Sequence, residues 1–248
     1  MSRAAAWLAC ALLLAACAPM APQPVSGDEV RAIVAAADRS EADRVLDRRR
    51  DPAKLIAFYG VGRGMKVLDL SAGPGYNTEL LARAVGPGGV VYAQNSKDFY
   101  ERVGPRLAER MKSPAMQNVV SLVRDFDDPL PAEVRDLDLV TFNFNYHDLA
   151  WIGTDRAKMN RALFAALKPG GVYIVADHSG RAGTGISEAK SLHRVEEALV
   201  RREVEAAGFR FVAEGGFLRN PNDPRDKPVF KPAQPNDEFV LKFVKPSN

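Results

Sequence analysis

Three histidines are the residues whose chemistry stands out most clearly in this sequence. They are His147, His178 and His193; Asp148 follows the first of them and Asp177 precedes the second. An imidazole titrates near neutral pH and can take a proton from a reacting group, while a carboxylate can orient the ring. We therefore predict that the catalytic groups are drawn from His147, His178, Asp177 and His193.

Two other roles are open for these residues. A metal ion held by His147, His193 and either Asp177 or His178 would lower the pKa of a bound hydroxyl group. Alternatively, the aspartates cap backbone amides, and the histidines pack at the domain edge or position a substrate. No two histidines are spaced one helical turn apart. Such compact spacing is the usual sign of a metal site, so no metal is predicted.

A glycine-rich turn over residues 69–75 follows a short apolar segment. Its glycines let the backbone approach a ligand, and the next helix presents free N–H groups. Thr78 occupies the place of the third glycine of a dinucleotide-binding turn, and Asp69 would repel a pyrophosphate. The turn therefore disfavours NAD. It suits a ligand that carries a positively charged amino-acid group, such as S-adenosylmethionine.

Strands and helices must alternate to bring these segments together. We predict strands at 65–70, 89–95, 118–123, 137–143, 170–177, 209–217 and 238–244, and helices within 28–59, after residue 78, and at 97–112, 155–167 and 187–207. This alternation predicts one α/β domain with a Rossmann-like, doubly wound, mainly parallel seven-stranded sheet. The two last strands have no helix between them, which predicts an antiparallel C-terminal strand.

Several of these motifs, in their order along the chain, resemble the class I S-adenosylmethionine-dependent methyltransferases. Residues 67–75 resemble the family's first motif, and 167–171 (LKPGG) its late motif before a strand. Residues 123–126 stand where the family lines the adenine. Segments 145–148, 177–178 and 192–194 resemble a bacterial group of predicted methyltransferases. The resemblance covers about residues 53–244 and implies the fold, the cofactor S-adenosylmethionine and methyl transfer.

The resemblance and the predicted strand ends together give a set of cofactor-binding residues. They are Asp69, Ser71, Ala72, Gly73, Gly75, Asn95, Asp125, Phe126 and Asn143. Two of them depart from the family pattern. Ser71 replaces a glycine, and Asn95 replaces the acidic residue that accepts hydrogen bonds from the ribose hydroxyls. In the loop after the fourth strand, Tyr146 and Trp151 are candidates for the wall of the acceptor site.

The expected function is therefore methyl transfer from S-adenosylmethionine to a small acceptor. The 34 basic and 31 acidic residues leave a net charge of only +3, which argues against nucleic acid as a partner. A competing hypothesis is a non-catalytic, exported binding module that keeps the fold, since the cofactor is made in the cytoplasm. An oxidoreductase is disfavoured by Thr78 and Asp69.

The N-terminus carries the pattern of an export signal. Arg3 precedes an uncharged apolar run over 4–16, and residues 14–17 (LAAC) resemble the lipobox of bacterial lipoproteins. We predict a signal peptide at 1–16, a lipidated Cys17 with a proline-rich tether to residue 27, and a methyltransferase-like domain at 28–248 that begins with helices over 28–60. The expected location is the membrane, facing the periplasm.

Overall fold

A computed structural model describes residues 22–230 and 235–247 and shows a seven-stranded sheet. The strands are β1 (Lys66–Leu70), β2 (Val90–Asn95), β3 (Val119–Val123), β4 (Leu137–Asn143), β5 (Leu167–His178), β6 (Arg210–Glu214) and β7 (Glu238–Val244). Their order across the sheet is β3-β2-β1-β4-β5-β7-β6. Pairing is parallel from β3 to β5, and β7 is antiparallel to both of its neighbours. The predicted fold class is confirmed.

Helices cover the sheet. They are α1 (Gly27–Ala35), α2 (Glu41–Arg50), α3 (Pro52–Tyr59), α4 (Tyr76–Val85), α5 (Lys97–Arg110), α6 (Arg156–Ala166), α7 (Ala189–Leu192) and α8 (Glu197–Ala206). Alternate strand residues point to opposite faces, which separates the core into two apolar clusters. Val67 and Leu139 lie in the cluster that contains α3 and α4 residues, while Leu68 and Val140 lie in the cluster beneath α6 and α8.

The prediction of one long helix over 187–207 is wrong, because the helical conformation is interrupted at His193. That residue has a left-handed φ of 54° and separates α7 from α8. Val195 leaves the helical path to pair with the end of β5, where its N–H donates to His178. Buried Arg194 donates to the carbonyls of Ser179 and Lys227. These tertiary bonds outweigh the helical periodicity of the segment.

Two other predicted boundaries also change. The strand predicted at 170–177 is longer, because β5 already begins at Leu167 and ends at His178. Leu137 pairs with Leu167 and Leu139 with Val172, so the intervening residues of β5 form a bulge. The strand predicted over 209–217 stops at Glu214, and a short 3₁₀ turn follows.

The domain makes contacts upstream of its predicted start at residue 28. Pro24 forms an antiparallel bridge with Gly62, and Ser26 caps α1. The predicted signal peptide and Cys17 lie outside the described residues. Across 22–230 and 235–247, the helices are all too short or too polar to cross a bilayer.

Candidate active site

A cavity of about 600 Å³ opens beyond the carboxyl ends of the parallel strands. In a sheet of this topology ligands bind at that edge. Its walls come from the loops after β1, β3 and β4, from the start of α5 after β2 and from the segment before α8: Ser71, Ser96, Lys97, Asp98, Phe99, Arg102, Asp125, Phe126, Asp127, Asn145, Asp148, Trp151, Ile152, Gly153, Thr154 and His193. Of the predicted cofactor-binding residues, Ser71, Asp125 and Phe126 are in the wall.

The glycine-rich turn is shaped by positive backbone angles. Ser71, Gly73 and Gly75 have φ values of 57°, 58° and 91°. A side chain on Gly75 would meet Leu107 and Arg110 of α5 at 2.9 Å. Glycine at position 75 therefore suits both the left-handed backbone angle and the close approach of α5. Ser71 adopts an angle that favours glycine, and its hydroxyl donates a hydrogen bond to Asn145 Oδ1.

Asn95 supports the turn from below. Its side chain is fully buried, Oδ1 accepts from Gly73 N at 2.8 Å, and Nδ2 lies 3.4 Å from Gly73 O. Both polar atoms of the Asn95 side chain thus contact the backbone of the turn at Gly73. The predicted ribose contact of Asn95 has no support in this geometry.

Asp69 is also an internal support and does not face the cavity. Its carboxylate accepts from Asn77 at 2.8 Å, Thr78 at 2.6 Å and Thr141 at 2.9 Å. Burial raises its pKa, and these hydrogen bonds oppose the rise. Ala72 is likewise largely buried, and its N–H donates to Gln94 O. Both residues fix the shape of the turn.

Sequence reasoning missed an acidic residue in the cavity wall. Asp98 is exposed, lies in the first turn of α5 and forms part of the cavity wall, only three residues after Asn95. Its carboxylate can accept two hydrogen bonds. The signal available in the sequence was its place as the first acid after β2.

Asn143, at the end of β4, has one half of its amide in use. Nδ2 donates to Tyr59 Oη at 2.9 Å. Oδ1 is buried and has no hydrogen-bond partner within the described residues. An unpaired buried acceptor is costly without a donor, and the ammonium group of S-adenosylmethionine is such a donor. This feature fits the predicted cofactor.

His147 is held by Asp177 from two sides. Its Nδ1 lies 2.7 Å from Asp177 Oδ1, and its backbone N–H donates to Asp177 Oδ2 at 2.8 Å. Asp177 is fully buried and His147 is 3% exposed. Burial alone would lower the His147 pKa, but the negative charges of Asp177 and Asp148 raise it to about 10.

The raised pKa favours the protonated ring when no other cation is bound, and the two carboxylates then hold His147 as a hydrogen-bond donor. The pKa of His193 is lowered by burial and by the nearby His147. His193 is in the cavity wall, and its Nδ1 lies 3.3 Å from His147 Nε2. Among the predicted bases, His193 alone faces the cavity.

Two further predicted residues, His178 and Tyr146, are separated from the cavity. His178 is 4% exposed, and its Nδ1 lies 3.0 Å from Glu238 Oε1 of β7. Tyr146, predicted as an acceptor wall, is buried in the core and donates to Glu203 at 2.7 Å. Trp151 does lie in the cavity wall, with its ring 5.2 Å from that of His193.

Asn145 connects the turn to the histidine cluster. It accepts from Ser71, and its Nδ2 donates to Asp148 Oδ2 at 2.5 Å. Asp148 Oδ1 in turn lies 3.2 Å from His147 Nε2. The ends of β1, β4 and β5 are therefore linked through side chains at one place in the cavity.

Residues 67–171 match the family model described as "Methyltransferase domain". This segment is therefore similar to a methyltransferase domain. It spans the glycine-rich turn, Asn95, Asp98, the 125–126 pair and the His147 loop. The match supports the prediction of a methyltransferase domain, and the solved structures below share its fold.

Two sequence relatives carry the same printed name. The chain is similar to the "Ubiquinone/menaquinone biosynthesis C-methyltransferase UbiE" of Cronobacter sakazakii, with 30% identity over 165 residues. That match covers 64% of this chain and 62% of the relative. The protein of that name from Pasteurella multocida is 34% identical over 124 residues, which cover 50% of this chain and 44% of the relative. The chain spans less than two thirds of either relative.

Solved structures share the fold at low identity. A "SAM dependent methyltransferase from Aquifex aeolicus" superposes with a TM-score of 0.60 and 19% identity, covering 89% of this chain and 99% of the other. Aeropyrum pernix fibrillarin, crystallised "with natively bound S-adenosyl-L-methionine", gives a TM-score of 0.50 and 17% identity over 74% of this chain and 68% of the other.

Proposed function

We propose that this protein transfers the methyl group of S-adenosylmethionine to a small acceptor. The observation that carries the proposal is the composition of the cavity. The ends of β1, β2 and β3 supply one part of its wall, and the β4 loop and His193 supply the other. Because the strand order is β3-β2-β1-β4-β5, these two parts lie side by side along one sheet edge.

The part over β1, β2 and β3 suits the cofactor. Asp98 would accept the ribose hydroxyls, and Phe126 would pack against the adenine with Asp125 beside it. The unpaired Asn143 Oδ1 would accept a hydrogen bond from the ammonium group. When bound, S-adenosylmethionine supplies an electrophilic methyl group on a sulfonium.

The part over β4 suits the acceptor. Trp151 offers an aromatic wall, while Asn145, Asp148 and His193 offer polar groups. Pockets for small ligands measure roughly 300–1,000 Å³, so a cavity of this size favours a small acceptor. The chain's contribution is to hold the acceptor beside the sulfonium, where proximity lowers the barrier.

The N-terminal sequence supports a proposal about location. We propose that Cys17 is lipidated after export and that the domain remains at the membrane, facing the periplasm. The domain makes contacts from Pro24 onward, and the seven steps of chain from Cys17 to Pro24 reach at most about 25 Å. A domain attached this closely would work near the membrane surface.

The cofactor assignment is tested by the Asp98→Asn variant, with Glu101→Gln as its matched control. Glu101 is exposed on the same helix and is not part of the cavity wall. Hydrogen bonds to a charged group contribute about 1.5–3 kcal/mol. Asp98→Asn should therefore weaken S-adenosylhomocysteine binding by at least about tenfold in calorimetry, and Glu101→Gln should leave it unchanged. Equal affinity in both variants would remove Asp98 from the site.

Methyl transfer is tested with S-adenosylmethionine that carries a radioactive methyl group. The full-length protein would be incubated with it and a small-molecule extract, and the extract would be separated by chromatography. A labelled product that forms with wild-type protein, and at a reduced rate with Asp98→Asn, supports the proposal. Label that stays entirely in the cofactor across extracts from several growth conditions would contradict it.

A further inference from the structure

Three ligand-type atoms converge at the β4 side of the cavity. His147 Nε2 lies 3.3 Å from His193 Nδ1 and 3.2 Å from Asp148 Oδ1, and the last two atoms are 3.5 Å apart. They form a nearly equilateral triangle. Within the described residues, this is the group of histidine, cysteine and acidic side chains whose ligand atoms lie close enough to hold a metal ion.

The size of the triangle matches one face of a tetrahedron. With metal–ligand bonds of about 2.0–2.1 Å, tetrahedral ligand atoms are about 3.3–3.4 Å apart. Octahedral ligands at the same bond length are about 2.9 Å apart. The three separations in this site are 3.2, 3.3 and 3.5 Å. They lie on both sides of the tetrahedral value, and all three are larger than the octahedral value.

Each ligand is oriented by a partner behind it. Asp177 accepts from Nδ1–H of His147, which directs the Nε2 lone pair toward the triangle. A buried carboxylate behind a histidine is the usual support of a metal-binding imidazole. Asn145 donates to Asp148 Oδ2 and leaves Oδ1 for the triangle. The left-handed backbone at His193 places its ring beside that of Trp151.

The acidic oxygen in the triangle lacks a satisfactory partner. Asp148 Oδ1 is buried and makes no well-directed hydrogen bond within the described part of the chain, although two ring nitrogens lie within 3.5 Å. An unsatisfied buried oxygen is costly. An ion above the triangle, about 2.0–2.1 Å from each of its three atoms, would satisfy all of them at once.

We propose that His147, Asp148 and His193 bind a zinc ion through Nε2, Oδ1 and Nδ1. Two imidazoles and one carboxylate are typical zinc ligands, and three protein ligands leave the fourth tetrahedral position open. Asp148 and His193 belong to the cavity wall, so that position faces the cavity. A hydroxyl or thiol group of a ligand, or water, would occupy it. Only the identification of this ligand as the methyl acceptor rests on the proposed function.

The site is tested by metal binding, independently of methyl transfer. The full-length protein would be stripped with a chelator, dialysed and titrated with Co²⁺, whose tetrahedral complexes absorb strongly in visible light. The background would carry Cys10→Ser and Cys17→Ser, so that thiolates contribute no signal. We expect one Co²⁺ per chain with a tetrahedral spectrum, and displacement by an equivalent of Zn²⁺.

Two ligand variants and one control locate the ion. His193→Gln and Asp148→Asn alter partly exposed side chains, which makes folded protein attainable, and should weaken Co²⁺ binding at least 100-fold. Asp127→Asn changes an acid in the same cavity wall outside the triangle and should bind Co²⁺ like the parent. S-adenosylhomocysteine affinity, measured on the same samples, reports separately on the cofactor site.

The outcomes are distinct. A tetrahedral Co²⁺ spectrum that both ligand variants lose and Asp127→Asn keeps supports the zinc site, whether or not the cofactor binds. Absence of stoichiometric Co²⁺ or Zn²⁺ binding by folded parent protein would overturn it. Wild-type affinity in His193→Gln and Asp148→Asn would overturn it as well, and would leave the triangle as a hydrogen-bonded cluster.

Discussion

Asp177 accepts two hydrogen bonds from His147, one from the ring at 2.7 Å and one from the backbone at 2.8 Å. A third comes from the backbone N–H of His178. This carboxylate therefore joins the end of β5 to the loop after β4. The catalytic role predicted for Asp177 becomes a positioning role, since the carboxylate is fully buried and does not reach the cavity.

Asp177→Asn should lower the free energy of unfolding by about 3–5 kcal/mol, because one member of a buried charged pair is lost. Asp98→Asn removes an exposed carboxylate and should change stability by less than about 0.5 kcal/mol. Urea unfolding followed by circular dichroism measures both variants. If Asp177→Asn were as stable as Asp98→Asn, Asp177 would not be the residue that secures His147.

The Asn95→Asp variant should have a lower free energy of unfolding than the wild-type protein. The change removes the Nδ2 donor near Gly73 O and buries a charge under the turn. We expect a loss of about 1–3 kcal/mol in unfolding free energy, together with weaker cofactor binding. Gln117→Glu makes the same chemical change at an exposed position and should be neutral. Tighter S-adenosylhomocysteine binding at unchanged stability would instead restore the ribose role of Asn95.

Gly75→Ala should destabilise the domain more than Gly73→Ala. Both glycines have positive φ, so both variants carry backbone strain of about 1–2 kcal/mol. A methyl group at Gly75 also meets Leu107 and Arg110 at 2.9 Å, whereas at Gly73 the nearest atom is a Phe99 ring carbon at 3.8 Å. Overpacking adds about 1–3 kcal/mol at Gly75. Equal melting temperatures would show that the turn moves away from α5.

Cys17→Ser should abolish lipidation and shift the protein from the membrane fraction to a soluble or unprocessed form. Cys10→Ser changes a cysteine inside the apolar run and should leave processing intact. Mass spectrometry of the N-terminus reports on processing and lipidation in both variants, and cell fractionation reports on their location. Recovery of wild-type protein in the cytosol with Met1 retained would contradict export.

The sequence predicted the sheet well because strand periodicity and the glycine-rich turn are local signals. It failed at residues 187–207, where helical periodicity continues through His193 but Val195 pairs with the end of β5. No local pattern encodes that long-range pairing. The break matters for function, since it brings His193 to the cavity wall.

The candidate site was only partly predictable for a similar reason. Motif positions identified Asn95 and Asp69, but motif position does not reveal which way a side chain points. The side chains of both residues are engaged in hydrogen bonds that hold the glycine-rich turn and the start of the helix after it. A metal site with His147 and His193 was left open from the sequence, but with Asp177 or His178 as the third residue. The third member of the cluster is Asp148, because the carboxylate of Asp177 contacts the opposite nitrogen of the His147 ring.

The central claim is that S-adenosylmethionine binds in the cavity beyond β1 to β4. Its most direct test is calorimetric titration of S-adenosylhomocysteine into the folded wild-type protein, with S-adenosylmethionine as competitor. The account predicts one site per chain, displacement by S-adenosylmethionine, and weakened binding in Phe126→Ala, which removes the ring predicted to contact adenine. Folded wild-type protein that binds neither ligand at millimolar concentration would contradict the account.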